Sequence, residues 1–291
     1  MSPLEVLEEA ERREIIAGIS DHNIIAAIRA LMELADTDPD VAELMRQHLI
    51  PGVEIQAREG AELLIYGNTP THLDDFYRKE IEEPDLLDKR EPIYEPIDIG
   101  IVDLAKQCRK WEMDIVVPHY GARHYGIGSL PRDVRKELNY ELRAYHGHVC
   151  VERNPYVSRF ANLKAITYAH SRKNRFPVIA TSDNHNRRHG SYTEMTLPPL
   201  GPDQYRSEQI FSAIHKEPPS WEKQHLERVP LLKAIRNTIA LFRQGGWSST
   251  KCILMREVRH HLGLPASTNS SSREQPQETL QTADVDDAVG S

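Results

Sequence analysis

The chain has little cysteine, few aromatic residues and no long apolar run. Its 291 residues include three cysteines, Cys108, Cys150 and Cys252, and no two of them form a CxxC pair. A disulfide scaffold or a thiolate zinc site is therefore not expected, and a reducing cytoplasm suits the composition. No apolar stretch is long enough to cross a bilayer, and the acidic N-terminal segment lacks the basic-then-apolar pattern of a signal peptide. We expect a cytoplasmic protein without a membrane partner.

An excess of positive charge and two common catalytic loops are also lacking. The formal net charge is −8. This charge argues against a protein that binds along a nucleic-acid backbone, although it leaves a local basic patch open. The sequence contains neither a phosphate-cradling GxxxxGK loop nor a GxSxG nucleophile elbow. P-loop nucleotide hydrolysis and serine-esterase chemistry therefore have no support.

Apolar runs alternate with amphipathic segments along the first 200 residues. The apolar runs predict about six strands, at IIAGIS, LIPGVEI, AELLIYG, DIVVPHY, HVCVERN and PVIATSD. Helix starts are predicted at Ser2 with Glu5, at Asp38 with Pro39, and at Pro131. Strands that alternate with helices predict a parallel α/β sheet.

Three segments depart from this alternation. Residues 69–97 are acidic and contain four prolines, so we predict a partly helical insertion there. Residues 201–265 have a helical pattern, and residues 266–291 are rich in Ser, Thr, Gln and acidic residues without an aromatic, which is typical of disorder. The predicted organisation is one domain at 1–200, a helical C-terminal extension at 201–265 and a disordered tail at 266–291.

Histidines and carboxylates collect where the predicted strands end. The residues at these ends are Asp21, His22, Glu54, His119, Glu152, Asn154, Asp183 and His185. In an α/β barrel the carboxyl ends of the strands form one rim, and the chemistry takes place there. Asp and Asn also end strands simply by bonding to nearby backbone, but five such strand ends together favour a site. Mixed imidazole and carboxylate ligands suit zinc, manganese or iron, and suit magnesium less well.

The ordered series D-H-N, G-V-E, P-H, E-x-N and S-D-x-H resembles the polymerase and histidinol phosphatase (PHP) family over roughly residues 1–200. The resemblance implies a distorted seven-stranded (β/α) TIM-like barrel that holds two or three divalent metal ions and hydrolyses phosphate esters. It implies metal ligands at His22, Glu54, His119, Asp183 and His185. It also implies supporting groups at Asp21, Glu152 and Asn154, and catalytic groups at Asp183 and His185, with Asp183 accepting a proton from the attacking water.

The sequence departs from the family pattern in two places. Family members begin with a strand that carries His-x-His, whereas this chain begins at the segment that should follow that strand. We expect an upstream extension that encodes the strand, and the alternative is a divergent member. Where family members place a further metal-binding histidine, this chain has Leu64, with Glu62 two positions earlier. Glu62 is equally well explained as a replacement ligand and as an ordinary polar residue of a strand face.

Arg123 is the candidate phosphate-binding residue. It lies on a glycine-rich loop after His119, and a guanidinium group bonds two phosphate oxygens at once. His146 and His148 would share one face of a strand. They lie at the start of that strand, away from the rim, so a surface role is favoured for them.

Metal-dependent hydrolysis of phosphate esters is the favoured function. The acidic net charge favours a small phosphorylated metabolite or nucleotide as substrate over nucleic acid. Two alternatives remain open. One is a metal-dependent amidohydrolase, because amidohydrolase barrels use similar ligands. The other is a degenerate, non-catalytic PHP scaffold whose helical C-terminal part binds a partner. The sequence does not indicate an oligomeric state.

Overall fold

Six strands form one curled sheet, as the six apolar runs predict. The computed structural model describes residues 2–87, 93, 95–122, 125–182 and 191–226. In spatial order the strands are β1 (Ala17–His22), β2 (Leu49–Gln56), β3 (Glu62–Tyr66), β4 (Asp114–Val117), β5 (Val149–Arg153) and β6 (Val178–Ala180). The sheet is a half-barrel, because within the described residues β1 and β6 are its two edges and do not pair with each other. The closed seven-stranded barrel stays a prediction.

Helices fill most of the connections between strands. They are α1 (Pro3–Arg12), α2 (Ala26–Ala35), α3 (Pro39–His48), α4 (Pro70–Tyr77), α5 (Ile101–Lys110), α6 (Arg132–Ala144), α7 (Arg159–Ala169) and α8 (Ser207–Lys216). A π-helical turn follows α4 at Arg78–Glu82, and three 3₁₀ turns lie at Ile127–Ser129, His146–His148 and Trp221–Lys223. Two short strands, β7 (Tyr192–Thr193) and β8 (Gln224–His225), pair antiparallel.

Two of the three predicted helix starts are confirmed by side-chain caps, and the third, at Pro131, directly precedes α6 without such a cap. The Ser2 hydroxyl accepts a hydrogen bond from the Glu5 backbone N–H at 3.2 Å, and the Glu5 carboxylate accepts one from the Ser2 N–H at 2.8 Å. The Asp38 carboxylate accepts a bond from the Asp40 N–H at 3.0 Å, with Pro39 opening α3. Each cap satisfies a backbone donor that the first turn of a helix leaves without a partner.

The prediction of a parallel sheet was wrong for one strand. β3 runs antiparallel to both β2 and β4, whereas the pairs β1–β2, β4–β5 and β5–β6 are parallel. The reason is the connection between β2 and β3, which spans only residues 57–61. A parallel crossover needs about a dozen residues or more, and a hairpin does not. Gly60 closes this turn with a φ of 83°, which a residue without a Cβ adopts at little cost.

The sheet separates two apolar layers of unequal size. The outer face packs against helices in a large core that includes Val53, Ile55, Ile65, Val117 and Val151. The inner face carries a smaller cluster in which Leu64, Val116 and Cys150 of the sheet contact Ile210, Phe211 and Ile214 of α8. A cavity of about 1370 Å³ also lies on the inner face, lined by residues of β1, β6, β7 and α8.

The C-terminal part of the described chain is only partly helical. α8 fits the helical pattern predicted for 201–265, but Gln224–His225 forms β8 and pairs with Tyr192–Thr193. The remainder of that predicted extension and the predicted disordered tail lie outside the described residues. Among the described residues there is no helix with the length and apolarity needed to cross a bilayer.

Gly52 is a point where the inner face tolerates no side chain. A Cβ added there would lie 2.6 Å from the ring of Tyr66, whereas a Cβ added at Gly147 would meet nothing within 4 Å. We therefore predict that Gly52→Ala lowers the free energy of unfolding by about 1–3 kcal/mol, the usual cost of overpacking. Gly147→Ala is the matched control, and thermal denaturation of both variants measures the difference. Equal stability of the two variants would contradict the prediction.

Histidine groups meet at the amino ends of β4 and β5, where α8 packs. The His215 Nε2 atom of α8 lies 3.9 Å from the Cys150 thiol, and its ring centroid lies 5.9 Å from that of His146. His148 is bonded to Asp114 at 2.9 Å. Burial, together with the charges of His146 and His148, lowers the pKa of His215 to about 4. The docked α8 therefore holds His215 in its neutral form.

We predict that this histidine makes the fold acid-sensitive. Because the pKa of His215 is lower in the folded chain than its ordinary value near 6.5, the unfolded chain binds the proton first. Its contribution to stability is complete above about pH 6.5 and is lost as the pH falls toward 4. The melting temperature of His215→Gln should fall less than that of the parent across this range, with the exposed His170→Gln as control. Parallel pH profiles for parent and His215→Gln would disprove it.

Candidate metal centre

Two carboxylates and an imidazole converge at the end of the sheet where the parallel strands finish. They belong to Glu54 near the end of β2, Glu62 at the start of β3 and His119 just after β4. Each offers a ligand atom, and these atoms all lie within 4.8 Å of one another. The His119 Nε2 atom is 3.1 Å from Glu62 Oε2 and 3.4 Å from Glu54 Oε1. We name Glu54, Glu62 and His119 the Glu-Glu-His cluster.

The reversal of β3 explains why Glu62 belongs to this cluster. Because β3 is antiparallel, its first residue lies at the edge where β2 and β4 end. In the strand register Glu62 pairs with Gln56, and Leu64 pairs with Glu54. Leu64 itself lies in the inner apolar cluster with Phe211. The sequence left the role of Glu62 open, and the structure places its side chain between two histidines.

His22 extends the cluster on the side of β1. Its Nε2 atom lies 3.1 Å from Glu62 Oε1, and its Nδ1 hydrogen-bonds the backbone carbonyl of Ile93. The same Glu62 oxygen accepts a bond from the Gln56 amide at 2.9 Å. Glu62 is therefore held from three sides.

Both histidines of this site have raised pKa values. Burial opposes the charged form of His22, but the hydrogen bond to Glu62 and the charges of Glu54 and Glu62 raise its pKa to about 9. Burial likewise opposes the charged form of His119, yet bonds to Glu54 and Glu62 raise its pKa well above the ordinary value. Against the effect of burial, the bonds from His119 and His22 lower the pKa of Glu62. The carboxylates beside them thus favour the charged forms of both imidazoles.

Glu152 fixes the segment that carries His119. The Glu152 carboxylate accepts the backbone N–H of His119 at 2.8 Å and the side-chain amide of Asn154 at 3.2 Å. It also accepts a bond from the Thr181 hydroxyl. His119 has a φ of 27°, which is rare for a residue with a side chain. Glu152 and Asn154 therefore lie beside the cluster and orient one of its members.

Asp21 faces away from the cluster, toward α2. Its carboxylate accepts the backbone N–H of Ala27 at 2.7 Å, in the first turn of that helix. The next residue but one, Asn23, is fully buried and joins the ends of β1 and β2. The Asn23 N–H donates to the Glu54 carbonyl at 2.7 Å, and its side-chain oxygen accepts the Gln56 N–H at 2.8 Å. Sequence reasoning missed Asn23, although asparagine is among the residues that tolerate its positive φ of 59°.

Three predicted site residues lie outside the described residues. These are Asp183, His185 and Arg123. Asp183 follows directly on Ser182, which is described, and β6 ends at Ala180 beside β5. His146 and His148 occupy a 3₁₀ turn before β5 rather than a strand, at the end of the sheet remote from the Glu-Glu-His cluster.

The cluster fits a divalent cation by its chemistry. It joins oxygen and nitrogen donors of the types that zinc, manganese and iron accept. Glu62 is buried and His119 nearly so, with 6% and 11% of their side chains exposed. The Nδ1 atom of His119 is buried and has no hydrogen-bond partner among the described residues. One nitrogen of the His119 ring is therefore unsatisfied within the described residues.

Comparisons with known proteins find only distant likeness. No family model and no curated protein matches the sequence. Among solved structures, a candidate metal-dependent phosphoesterase from Bifidobacterium adolescentis aligns at 12% identity and a TM-score of 0.46, covering 73% of this chain and 90% of that one. Endonuclease Q bound to a 27-mer duplex with an abasic lesion aligns at 10% identity and a TM-score of 0.46. That alignment covers 73% of this chain and 51% of that one.

A lesion-specific endonuclease from Pyrococcus furiosus aligns at 13% identity and a TM-score of 0.43, covering 74% of this chain and 51% of that one. This chain thus spans about half the length of either endonuclease. Likeness at this level is too distant to assign an activity.

We predict that Glu62 is needed to bind metal. Glu62→Gln keeps the shape of the side chain but removes a charge, so affinity for Mn²⁺ or Zn²⁺ should fall about 10-fold or more, at least as much as loss of a supporting group costs. The control is Asp98→Asn, an exposed carboxylate whose ion pair within the described residues is with Arg58 at 2.7 Å. Isothermal titration calorimetry of EDTA-treated protein measures both. Equal metal affinity in the two variants would remove Glu62 from the ligand set.

Proposed function

We propose that this chain is a metal-dependent hydrolase of phosphate esters. The Glu-Glu-His cluster carries the proposal, because its ligand atoms lie within 4.8 Å of one another at the edge where five of the six strands end. Two of its members are carboxylates, and close carboxylates favour a cation between them. Glu54 also lines the inner-face cavity, which gives a ligand access to the cluster.

Glu54, Glu62 and His119 would hold the cation, with His22 as a fourth group beside Glu62. Asp183 and His185, which follow β6, are proposed to complete the ligand set. A bound divalent cation would polarise a phosphoryl oxygen and lower the pKa of water at the site. Binding the cation requires His22 and His119 to give up their shared protons, since ligating imidazoles are neutral.

The remaining groups orient a ligand, accept a proton or bind the phosphate. Glu152 holds His119 through its backbone N–H at 2.8 Å, and so keeps the imidazole aimed at the two carboxylates. Asp183 is proposed to accept the proton of the attacking water. Arg123, four positions after His119, is proposed to bind non-bridging phosphate oxygens through its guanidinium. These two assignments rest on the sequence pattern.

One observation favours a second function, that of a non-catalytic scaffold. Both ring nitrogens of His22 are engaged within the protein, Nδ1 with the Ile93 carbonyl and Nε2 with Glu62. The metal-free cluster is therefore balanced by its own protons, as a purely structural network would be. Metal content of the purified chain separates the two functions, because a scaffold of this kind needs no ion.

We predict that phosphatase activity depends on His119. His119→Ala should lower turnover of an aryl phosphate monoester or diester by about 10² or more, the usual effect of losing an electrostatic or acid–base group. The control is His170→Ala, which alters an exposed histidine at the end of α7. Steady-state assays with Mn²⁺ and with Zn²⁺ measure both.

If the parent binds no metal and turns over neither ester, the scaffold proposal replaces the hydrolase proposal. If the parent binds metal and still turns over neither ester, the hydrolase proposal fails. If parent and His119→Ala turn over alike, the Glu-Glu-His cluster is not the active site.

A further inference from the structure

The net charge of −8 is distributed unevenly along the chain. Residues 155–175, which contain α7, include no Asp or Glu. They include five cationic residues, Arg159, Lys164, Arg172, Lys173 and Arg175. All five are exposed, and none forms an ion pair with any carboxylate that the structure describes. This stretch is a local basic patch on an acidic protein.

The exposed side of α7 is also apolar. Phe160 is 66% exposed and Leu163 is 56% exposed, at the positions where a surface helix normally carries polar residues. The Lys164 ammonium lies 4.7 Å from the centroid of the Phe160 ring. We name Arg159, Phe160, Leu163, Lys164 and the three cations at 172, 173 and 175 the α7 surface.

A pocket of about 550 Å³ lies between this surface and the loop that follows β4. Phe160, Leu163 and Lys164 line one side of it, and Tyr120 and Tyr168 line the other. The two tyrosine rings stack with centroids 4.1 Å apart. Tyr120 directly follows His119, so the pocket begins one residue from a proposed metal ligand.

The loop that carries Tyr120 is packed tightly on α7. A Cβ added at Gly121 would lie 2.6 Å from the backbone of Ala161. The Asn154 N–H donates to the Asn162 side chain at 2.9 Å, and the Asn162 amide returns a bond to the Asn154 carbonyl at 2.8 Å. The loop that carries His119 and Tyr120 is thus packed directly on α7, and α7 is bonded to the end of β5.

We propose that the α7 surface binds single-stranded nucleic acid, with a base against Phe160 in the pocket and the phosphates along the cations. An exposed aromatic ring beside cations that are unpaired within the described residues suits such a strand, because every base stacks and every linkage is anionic. An acidic peptide would use the cations but not the aromatic pocket. The inference rests on the proposed function, since it makes the substrate of the metal centre a phosphodiester strand.

The length of the surface suits a short stretch of strand. α7 has 11 residues and so spans roughly 16 Å at 1.5 Å per residue, and the cations continue beyond it. A stacked strand advances about 3.4 Å per phosphate. About five nucleotides would therefore lie along α7, with one end next to the loop that follows β4.

The test measures binding without catalysis. Fluorescence anisotropy of a labelled oligothymidylate of about 12 nucleotides is titrated with the full chain in EDTA, over roughly 50 to 200 mM salt. We expect Phe160→Ala to weaken binding about 10-fold, since stacking is lost, and Lys164→Ala to lower the salt slope by about 0.7. Tyr140→Ala and Lys106→Ala are matched controls, because Tyr140 is 67% exposed and both lie outside the pocket.

Competition against the labelled oligonucleotide tests which class of partner the α7 surface binds. Polyglutamate or phosphatidylserine vesicles that displace the oligonucleotide at equal charge concentration would overturn the assignment, as would equal binding of a duplex. Loss of binding in Tyr140→Ala as large as in Phe160→Ala would also overturn it. Turnover of an aryl phosphate separates this inference from the function on which it rests. If the chain turns over the aryl phosphate but does not bind the oligonucleotide, the proposal for the α7 surface fails and the hydrolase proposal stands. If it binds the oligonucleotide but does not turn over the aryl phosphate, the hydrolase proposal fails and nucleic-acid binding by the α7 surface stands.

Discussion

The five-residue turn between β2 and β3 is the constraint on which the site depends. Because residues 57–61 cannot make a crossover, β3 must return antiparallel along β2. Its first residue, Glu62, then lies at the edge where the other strands end, next to Glu54 and His119. Leu64 is carried instead into the apolar inner face. One short hairpin thus decides that Glu62 joins the Glu-Glu-His cluster and that Leu64 joins the apolar inner face.

The charge balance of the cluster follows from that placement. Two carboxylates brought together at a partly buried edge need compensation, because like charges at short range are costly in a low dielectric. Here His22 and His119 supply it, and their raised pKa values are the sign of that compensation.

Two neighbouring residues of the loop after β4 face different sites. His119 enters the Glu-Glu-His cluster, whereas Tyr120 turns to the pocket beside α7. Glu152 holds this loop to β5 through the His119 N–H, and the Asn154–Asn162 pair joins the end of β5 to α7. A global net charge averages over such local surfaces, so the acidic total did not reveal a 21-residue stretch without a carboxylate.

The sequence by itself determined the six strands, the caps at Ser2 and Asp38, and the rim positions of His22, Glu54 and His119. These are local properties, set by apolar runs, by capping side chains and by the residues at strand ends. The tertiary structure decided the direction of β3, the role of Glu62, the turn of Asp21 toward α2 and the pairing of Phe160 with Tyr120 across one pocket. Each of these depends on which residues, distant in sequence, become neighbours, and periodicity along one chain carries no information about that.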